Sequence, residues 1–195
     1  DSADALPNNW ISALAQDAGG RLWIGTDGGG LVWRDGINGR FQRLLGADGK
    51  PVVDSQLRIR SLKVDRRKRL WVATRNVGIV VVDLSAGTAR KRRHDPTNPV
   101  SLSDNSVFEL DEDAKGVMWA ATGSGLDRID LGTNTITRFG ERLTDAAGIA
   151  GRPLKLNSVH VATDGVVWAG SDQGLFRLRL GDNRGERFSQ DANAV

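Results

Sequence analysis

Tryptophan recurs along this chain at Trp23, Trp71, Trp119 and Trp168, at intervals of 48, 48 and 49 residues. Its neighbours recur with it, as Leu22-Trp23-Ile24-Gly25-Thr26, Leu70-Trp71-Val72-Ala73-Thr74, Met118-Trp119-Ala120-Ala121-Thr122 and Val167-Trp168-Ala169-Gly170-Ser171. Self-similarity at a fixed period of this length means one supersecondary unit stacked several times. It constrains function as well, because stacked repeats more often present a binding surface than a single catalytic constellation.

Within the first repeat, four short segments (11–16, 21–26, 31–34 and 40–44) are separated by Asp17-Ala18-Gly19-Gly20, Asp27-Gly28-Gly29-Gly30 and Asp35-Gly36-Ile37-Asn38-Gly39. Runs of four to six residues bounded by Gly, Asp and Asn read as antiparallel strands joined by hairpins. No segment keeps an i, i+3, i+4, i+7 apolar pattern long enough for a helix. Each repeat is therefore expected to be a four-stranded meander, with blocks at about 8–45, 57–93, 105–140 and 156–190. Side chains alternate between faces along a strand. In strand two one face carries Leu22, Ile24 and Thr26 and the other Trp23 and Gly25, so both faces are apolar and both must be covered. Face-to-face stacking satisfies this, and radial stacking gives a β-propeller. The small residue two places after each Trp leaves room for a side chain from the neighbouring sheet.

Asp17, Asp65 and Asp113 each stand six residues before the repeated Trp. Such a carboxylate can accept backbone N–H groups across the turn, and Gly20 and Gly116 supply positive φ there. Lys68 holds the glycine position in repeat two, and Ala162 holds the aspartate position in repeat four. The run Asp111-Glu112-Asp113-Ala114-Lys115-Gly116 fails as a calcium loop, since Lys115 falls on a ligand position and no bidentate Glu follows. No metal site, cofactor motif or catalytic set is expected. With only His94 and His160 a three-histidine zinc site is impossible within the chain. Without cysteine there is no disulfide framework or thiol chemistry, and without tyrosine no sialidase-type nucleophile.

The net charge of +3 hides an uneven distribution. Residues 57–93 hold twelve Lys/Arg against Asp65 and Asp83, locally +10, while the other 15 basic and 22 acidic residues sum to −7. A patch of that sign can meet an anionic surface or partner, or can guard sheet edges against aggregation. It lacks the interleaved aromatics of a nucleic-acid site.

The run Gln16-Asp17-Ala18-Gly19-Gly20-Arg21-Leu22-Trp23-Ile24-Gly25-Thr26-Asp27-Gly28-Gly29-Gly30-Leu31 resembles the two-component regulator propeller repeat. The segment from His94 to Asn105, His-Asp-Pro-Thr-Asn-Pro-Val-Ser-Leu-Ser-Asp-Asn, resembles that family's linker between blades. The resemblance extends from Asn8 to about Phe188. It implies an all-β chain of four four-stranded antiparallel blades, half or part of a larger ring, since family rings usually hold seven. It also implies a periplasmic sensor region of a membrane-anchored receptor, whose kinase or cyclase activity lies in other domains. The chain reads as a piece of something longer. The apolar faces of its first and last blades are expected to meet another chain, such as a second copy completing an eight-bladed ring, or a further part of the protein.

In such propellers the loops between strands two and three, and those joining blades, lie on one face. The candidate ligand residues are Asp27, Arg75, Asn76, Ser124, Asp172 and Gln173, with Trp10 and Trp33 as aromatic platforms for a saccharide or other small polar ligand. The connections 45–57, 94–105 and 140–156 add His94, Asp95, Asn98, Arg142 and Arg152 on long loops, where binding residues concentrate. His160 is expected to be a packed or solvated side chain on an inner strand. Two alternatives stand beside the sensor: an interaction scaffold using the basic repeat, and a glycan hydrolase built on two of the 24 acids.

Overall fold

The computed structural model describes residues 5–36, 39–149, 151–181 and 185–190. The turn-and-strand pattern of the sequence becomes four antiparallel sheets, each a meander in chain order. Sheet one holds β1 (Ile11–Gln16), β2 (Arg21–Thr26) and β3 (Leu31–Asp35). Sheet two holds β4 (Ile59–Val64), β5 (Arg69–Thr74), β6 (Ile79–Asp83) and β7 (Thr88–Arg92). Sheet three holds β8 (Val107–Glu112), β9 (Met118–Thr122), β10 (Gly125–Asp130) and β11 (Thr135–Arg138). A helix, α1 (Gly140–Ala146), precedes sheet four, which holds β12 (Leu156–Val161), β13 (Val166–Ser171), β14 (Gly174–Arg179) and β15 (Glu186–Phe188). The chain forms two compact units, residues 1–92 with sheets one and two, and residues 93–195 with sheets three and four.

Two expectations need correction. The fourth strand of the first repeat shrinks to one bridge, in which Trp33 and Gln42 exchange N–H···O bonds of 2.8 and 2.9 Å. Leu44 and Gly46 instead pair with Val52 and Lys50 across a local turn. That competing hairpin carries Val53 into the core, where it is 3% exposed. Ile37 and Asn38, in the turn before that strand, lie outside the described residues. The helix α1 was not expected. Its apolar stripe, Phe139, Leu143 and Ala147, spans only two turns but is buried against sheets three and four. Tertiary burial there replaces the long periodic signal that a sequence reading requires.

The repeated aspartate closes its hairpin as the residues suggested. Asp17 Oδ1 accepts the N–H groups of Gly19 and Arg21 at 3.0 Å each. Asp65 takes those of Arg67 and Arg69, and Asp113 those of Lys115 and Val117. The other oxygen does something not read from the sequence. Asp17 Oδ2 accepts the indole N–H of Trp23 at 3.0 Å, Asp65 Oδ2 that of Trp71 at 2.8 Å and Asp113 Oδ2 that of Trp119 at 3.4 Å. One carboxylate thus ties the turn to the core indole, which would otherwise bury an unpaired N–H. Lys68 takes φ of 59°, the left-handed conformation that Gly20 and Gly116 hold at 82° and 79°.

The sheets stack through strand two, as its two apolar faces required. In the first unit Trp23, Leu31 and Ile24 are buried, and Ile59, Leu62 and Val72 of the next sheet are equally covered. A Cβ built on Gly25 would stand 2.5 Å from Ile59 Cγ2, so the small residue after Trp23 receives the neighbouring sheet's isoleucine. In the second unit Trp119, Leu126, Leu156, Val159, Phe176 and Leu178 form the corresponding core. Each indole covers on the order of 200 Å² of apolar surface, roughly 5 kcal/mol as an upper bound. Trp168, lacking the aspartate, is only half-buried.

Candidate functional site

The ends of the sheets where strand two turns into strand three are built alike in all four repeats. The last residue of strand two, Thr26, Thr74, Thr122 or Ser171, donates its hydroxyl to the carbonyl of Gly30, Gly78, Gly125 or Gly174, at 2.9, 2.8, 2.9 and 3.2 Å. Each hydroxyl oxygen also accepts a loop N–H, from Gly29, Val77, Ser124 and Gln173. A threonine's short hydroxyl suits this because it satisfies donor and acceptor within one tight turn. The loops that carry the candidate ligand residues are therefore fixed by these bonds. The neighbouring inner strands are irregular at the same end. β1, β4, β8 and β12 each show a register shift, at Ser12, Arg60, Phe108 and Asn157, of the kind that bends a strand and re-aims a side chain.

In the first unit backbone bonds link the loops that carry four of the candidates. Trp10 donates its backbone N–H to Asn8 Oδ1 at 2.7 Å and accepts that of Asp27 at 3.0 Å, and the residue is 70% exposed. Asn8 Nδ2 donates to the Asp27 carbonyl at 3.1 Å. Asp27 Oδ1 is buried without a hydrogen bond, and its nearest cation is Arg58 Nε at 3.7 Å. The Arg58 carbonyl accepts the N–H of Arg75, whose side chain is exposed beside that of Asn76. Asn8 and Arg58 were not singled out from the sequence. Each lies outside the repeated motif, and only the fold sets them beside Asp27. Trp33 sits elsewhere. It pairs with Trp23 across β2–β3, 6.3 Å between ring centroids, under the Arg21 guanidinium at 4.1 Å.

In the second unit Ser124 donates its hydroxyl to Asp104 Oδ2 at 2.9 Å. It lines a cleft of about 700 Å³ together with Pro99, Val100, Ser103, Arg138, Glu141, Thr144 and Arg152. Hydroxyls, two guanidinium groups and one carboxylate around an apolar floor suit a ligand with many hydroxyls or amides. The connections 94–105 and 140–156 supply most of these walls. Arg138 was not foreseen. It donates to Ser101 O, Ser101 Oγ, Leu102 O and Asn98 O at 2.8–3.1 Å, and so fixes the linker that forms one wall. His94 Nδ1 lies 2.7 Å from Leu102 O and serves the same linker. Beneath it Asp127 is fully buried. Its Oδ2 accepts the N–H of Ser103 at 2.8 Å, its Oδ1 has no hydrogen bond, and burial pushes the carboxyl up to about 6 against the pull of Ser103, Arg138 and His94. Asp172 and Gln173 are exposed on the β13–β14 loop, with the Gln173 carbonyl held by Arg187 Nε at 2.7 Å. His160 is largely solvated, with Nδ1 3.3 Å from Asp111 Oδ2.

Residues 5–28 match the model of the family described as two component regulator propeller. No curated protein sequence matches the chain. Among solved structures, the chain is similar to the extracellular domain of the hybrid two component system BT3049 from B. thetaiotaomicron, with 22% identity and a TM-score of 0.78 over 96% of this chain and 25% of that one. It is similar also to the extracellular domain of the hybrid system BT4673 from the same organism, with 23% identity and a TM-score of 0.71 over 97% and 25%. A catalytically inactive virginiamycin B lyase from Staphylococcus aureus, solved with quinupristin, shares 13% identity and a TM-score of 0.64 over 98% and 58%. The chain spans about a quarter of the length of the first two. The four sheets are thus β-propeller blades, and the resemblance read from the first repeat is borne out at residues 5–28.

Proposed function

We propose that this chain is part of the periplasmic sensory region of a longer, membrane-anchored bacterial two-component receptor, and that its strand-two-to-three loops bind a saccharide or a similarly polar small molecule. The match to the regulator propeller model at residues 5–28 supports the class, as does the likeness to extracellular domains of hybrid systems. One observation carries the ligand reading. Trp10, 70% exposed, stands on a loop whose backbone is bonded to that of Asp27, and Arg58, whose carbonyl accepts the Arg75 N–H, lies beside the Asp27 carboxylate. An aromatic face with hydrogen-bonding groups at its rim is the chemistry that holds a sugar ring, apolar on its C–H face and polar at its edge. On this reading the segment only binds, and catalysis belongs to domains beyond it. The end blades associate with another blade, because both present apolar residues that inner blades cover.

Titration calorimetry with a panel of neutral and acidic oligosaccharides tests the reading, beside an assay for their hydrolysis. The expected result is binding to at least one glycan without turnover, weakened about tenfold or more by Trp10→Ala. Binding untouched by that substitution would remove the loop cluster as the site, and turnover would make the segment an enzyme.

A further inference from the structure

We propose that β7 is a docking strand for an extended acidic protein segment, which adds to the open edge of the second sheet and sets its carboxylates against Arg90 and Arg92. The strand is the last of its sheet, hydrogen-bonded to β6 alone. Alternate N–H and C=O groups along its outer side are therefore presented as a template for another strand. Its side chains read Thr88-Ala89-Arg90-Lys91-Arg92, exposed up to the half-buried Arg92.

Edge strands often carry a charge simply to repel other edges, and the comparison with the other blades separates that role from this one. In the third blade the outer-strand Arg138 spends its guanidinium on four hydrogen bonds to the linker. In the fourth, Arg187 donates to Gln173 O and Ala147 O. Those edge cations are structural. On β7 no hydrogen bond or ion pair engages the side chains of Arg90 or Lys91 among the described residues, and Arg92 Nε is buried without an acceptor. Three adjacent cations with no acid repel one another, and a single lysine would suffice as a guard. An anionic partner relieves that repulsion.

The open main-chain edge decides which anion. A peptide matches a row of alternating donors and acceptors, whereas a phosphate headgroup or a glycan meets only the cations. Five residues span about 17 Å, and residues two apart on one face of a strand lie about 6.8 Å apart. Carboxylates at alternate positions of an added strand would face Arg90 and Arg92 at cross-strand distances of about 5 Å.

Fluorescence anisotropy of the full chain with a labelled ten-residue peptide alternating glutamate and threonine tests the proposal. Three comparisons accompany it: the same peptide N-methylated at every second residue, its lysine counterpart, and phosphatidylglycerol vesicles. The acidic peptide should bind, the lysine peptide should not, and N-methylation should weaken binding at least about tenfold. Arg90→Glu with Arg92→Glu should cost about tenfold or more. If that pair disturbs folding, Arg90→Gln with Arg92→Gln, checked by tryptophan emission, should still give roughly a threefold loss. Equal binding of the N-methylated peptide, binding indifferent to these substitutions, or capture by vesicles with no binding to the peptide would overturn strand addition at β7.

Discussion

At the scale of single residues, the strongest coupling is between one carboxylate and one indole. Asp65 is 5% exposed and satisfies two backbone N–H groups, the Arg69 Nε at 2.6 Å and the Trp71 indole. Asp65→Ala would leave the buried Trp71 indole N–H unpaired and strip three further donors of their acceptor, and should lower unfolding stability by about 3 kcal/mol in urea titrations. The converse change is available in blade four, where Ala162→Asp would offer the missing acceptor to Trp168 and should add about 1 kcal/mol. Lys68 holds a conformation that costs a side-chain-bearing residue about 1 kcal/mol, so Lys68→Gly should raise the midpoint of thermal unfolding slightly despite glycine's greater unfolded-state freedom. Asp127 gives the chain a pH dependence of definite sign. Its folded pKa, about 6, lies above the usual carboxylate value of 3.8, so the folded state holds the proton more tightly than the unfolded one. Stability from this group is complete below about pH 4 and is lost as pH rises through 6, by roughly 3 kcal/mol at most. Asp127→Asn should flatten that part of the stability–pH curve measured by denaturant melts between pH 4 and 8.

At the scale of elements, the decisive contact is the entry of one blade's inner strand into the gap left by a small residue on the next. Gly25→Ala would place a methyl group 2.5 Å from Ile59 Cγ2 and 3.4 Å from Ala13 Cβ. In a packed core this should cost about 1–3 kcal/mol, and Ile59→Val in the same chain should recover part of it. A double-mutant cycle by chemical denaturation measures the coupling. The hairpins beyond strand three follow a second rule. Asp83 accepts the N–H groups of Ser85 and Ala86, and Asp130 those of Gly132 and Thr133. These bonds hold both carboxyls below the ordinary range, and they account for the charged residue that ends strand three in blades two and three.

At the scale of the whole molecule, the exposure of equivalent positions marks which blade faces lack a neighbour. Leu14 is 59% exposed, although Leu62 and Val159 at the same repeat position are 7% and 5%. Leu175 is 43% exposed, against 3% for Leu31 and 0% for Leu126. Repeat stacks bury their apolar faces only through neighbours, so these two faces should join a further blade, of another copy or of the rest of the protein. Sedimentation velocity across a concentration series should show reversible association. Leu14→Glu with Leu175→Glu should leave a monomer with unchanged circular dichroism, whereas association that survives the pair would place the contact elsewhere.

The tryptophan period, the turn residues and the two apolar faces of strand two were enough to read the antiparallel hairpins, the first three strands of the first repeat to within a residue, and the blade class, because hairpins and alternation are local properties of the chain. The aspartate's hold on its turn was equally local. Its hold on the indole was not, since that bond depends on where the Trp side chain lies once the next sheet has covered it. The same divide runs through the candidate site. Trp10 and Asp27 were legible as unrepeated or loop residues. Asn8, Arg58, Ser103 and Arg138 carry no pattern of their own, and became partners of the site only when distant segments were brought against the loops. Trp33 had the composition of a platform, yet cross-strand pairing with Trp23 committed it to the sheet. Local periodicity set the elements, and long-range packing chose which polar side chains face a cleft and which seal the core.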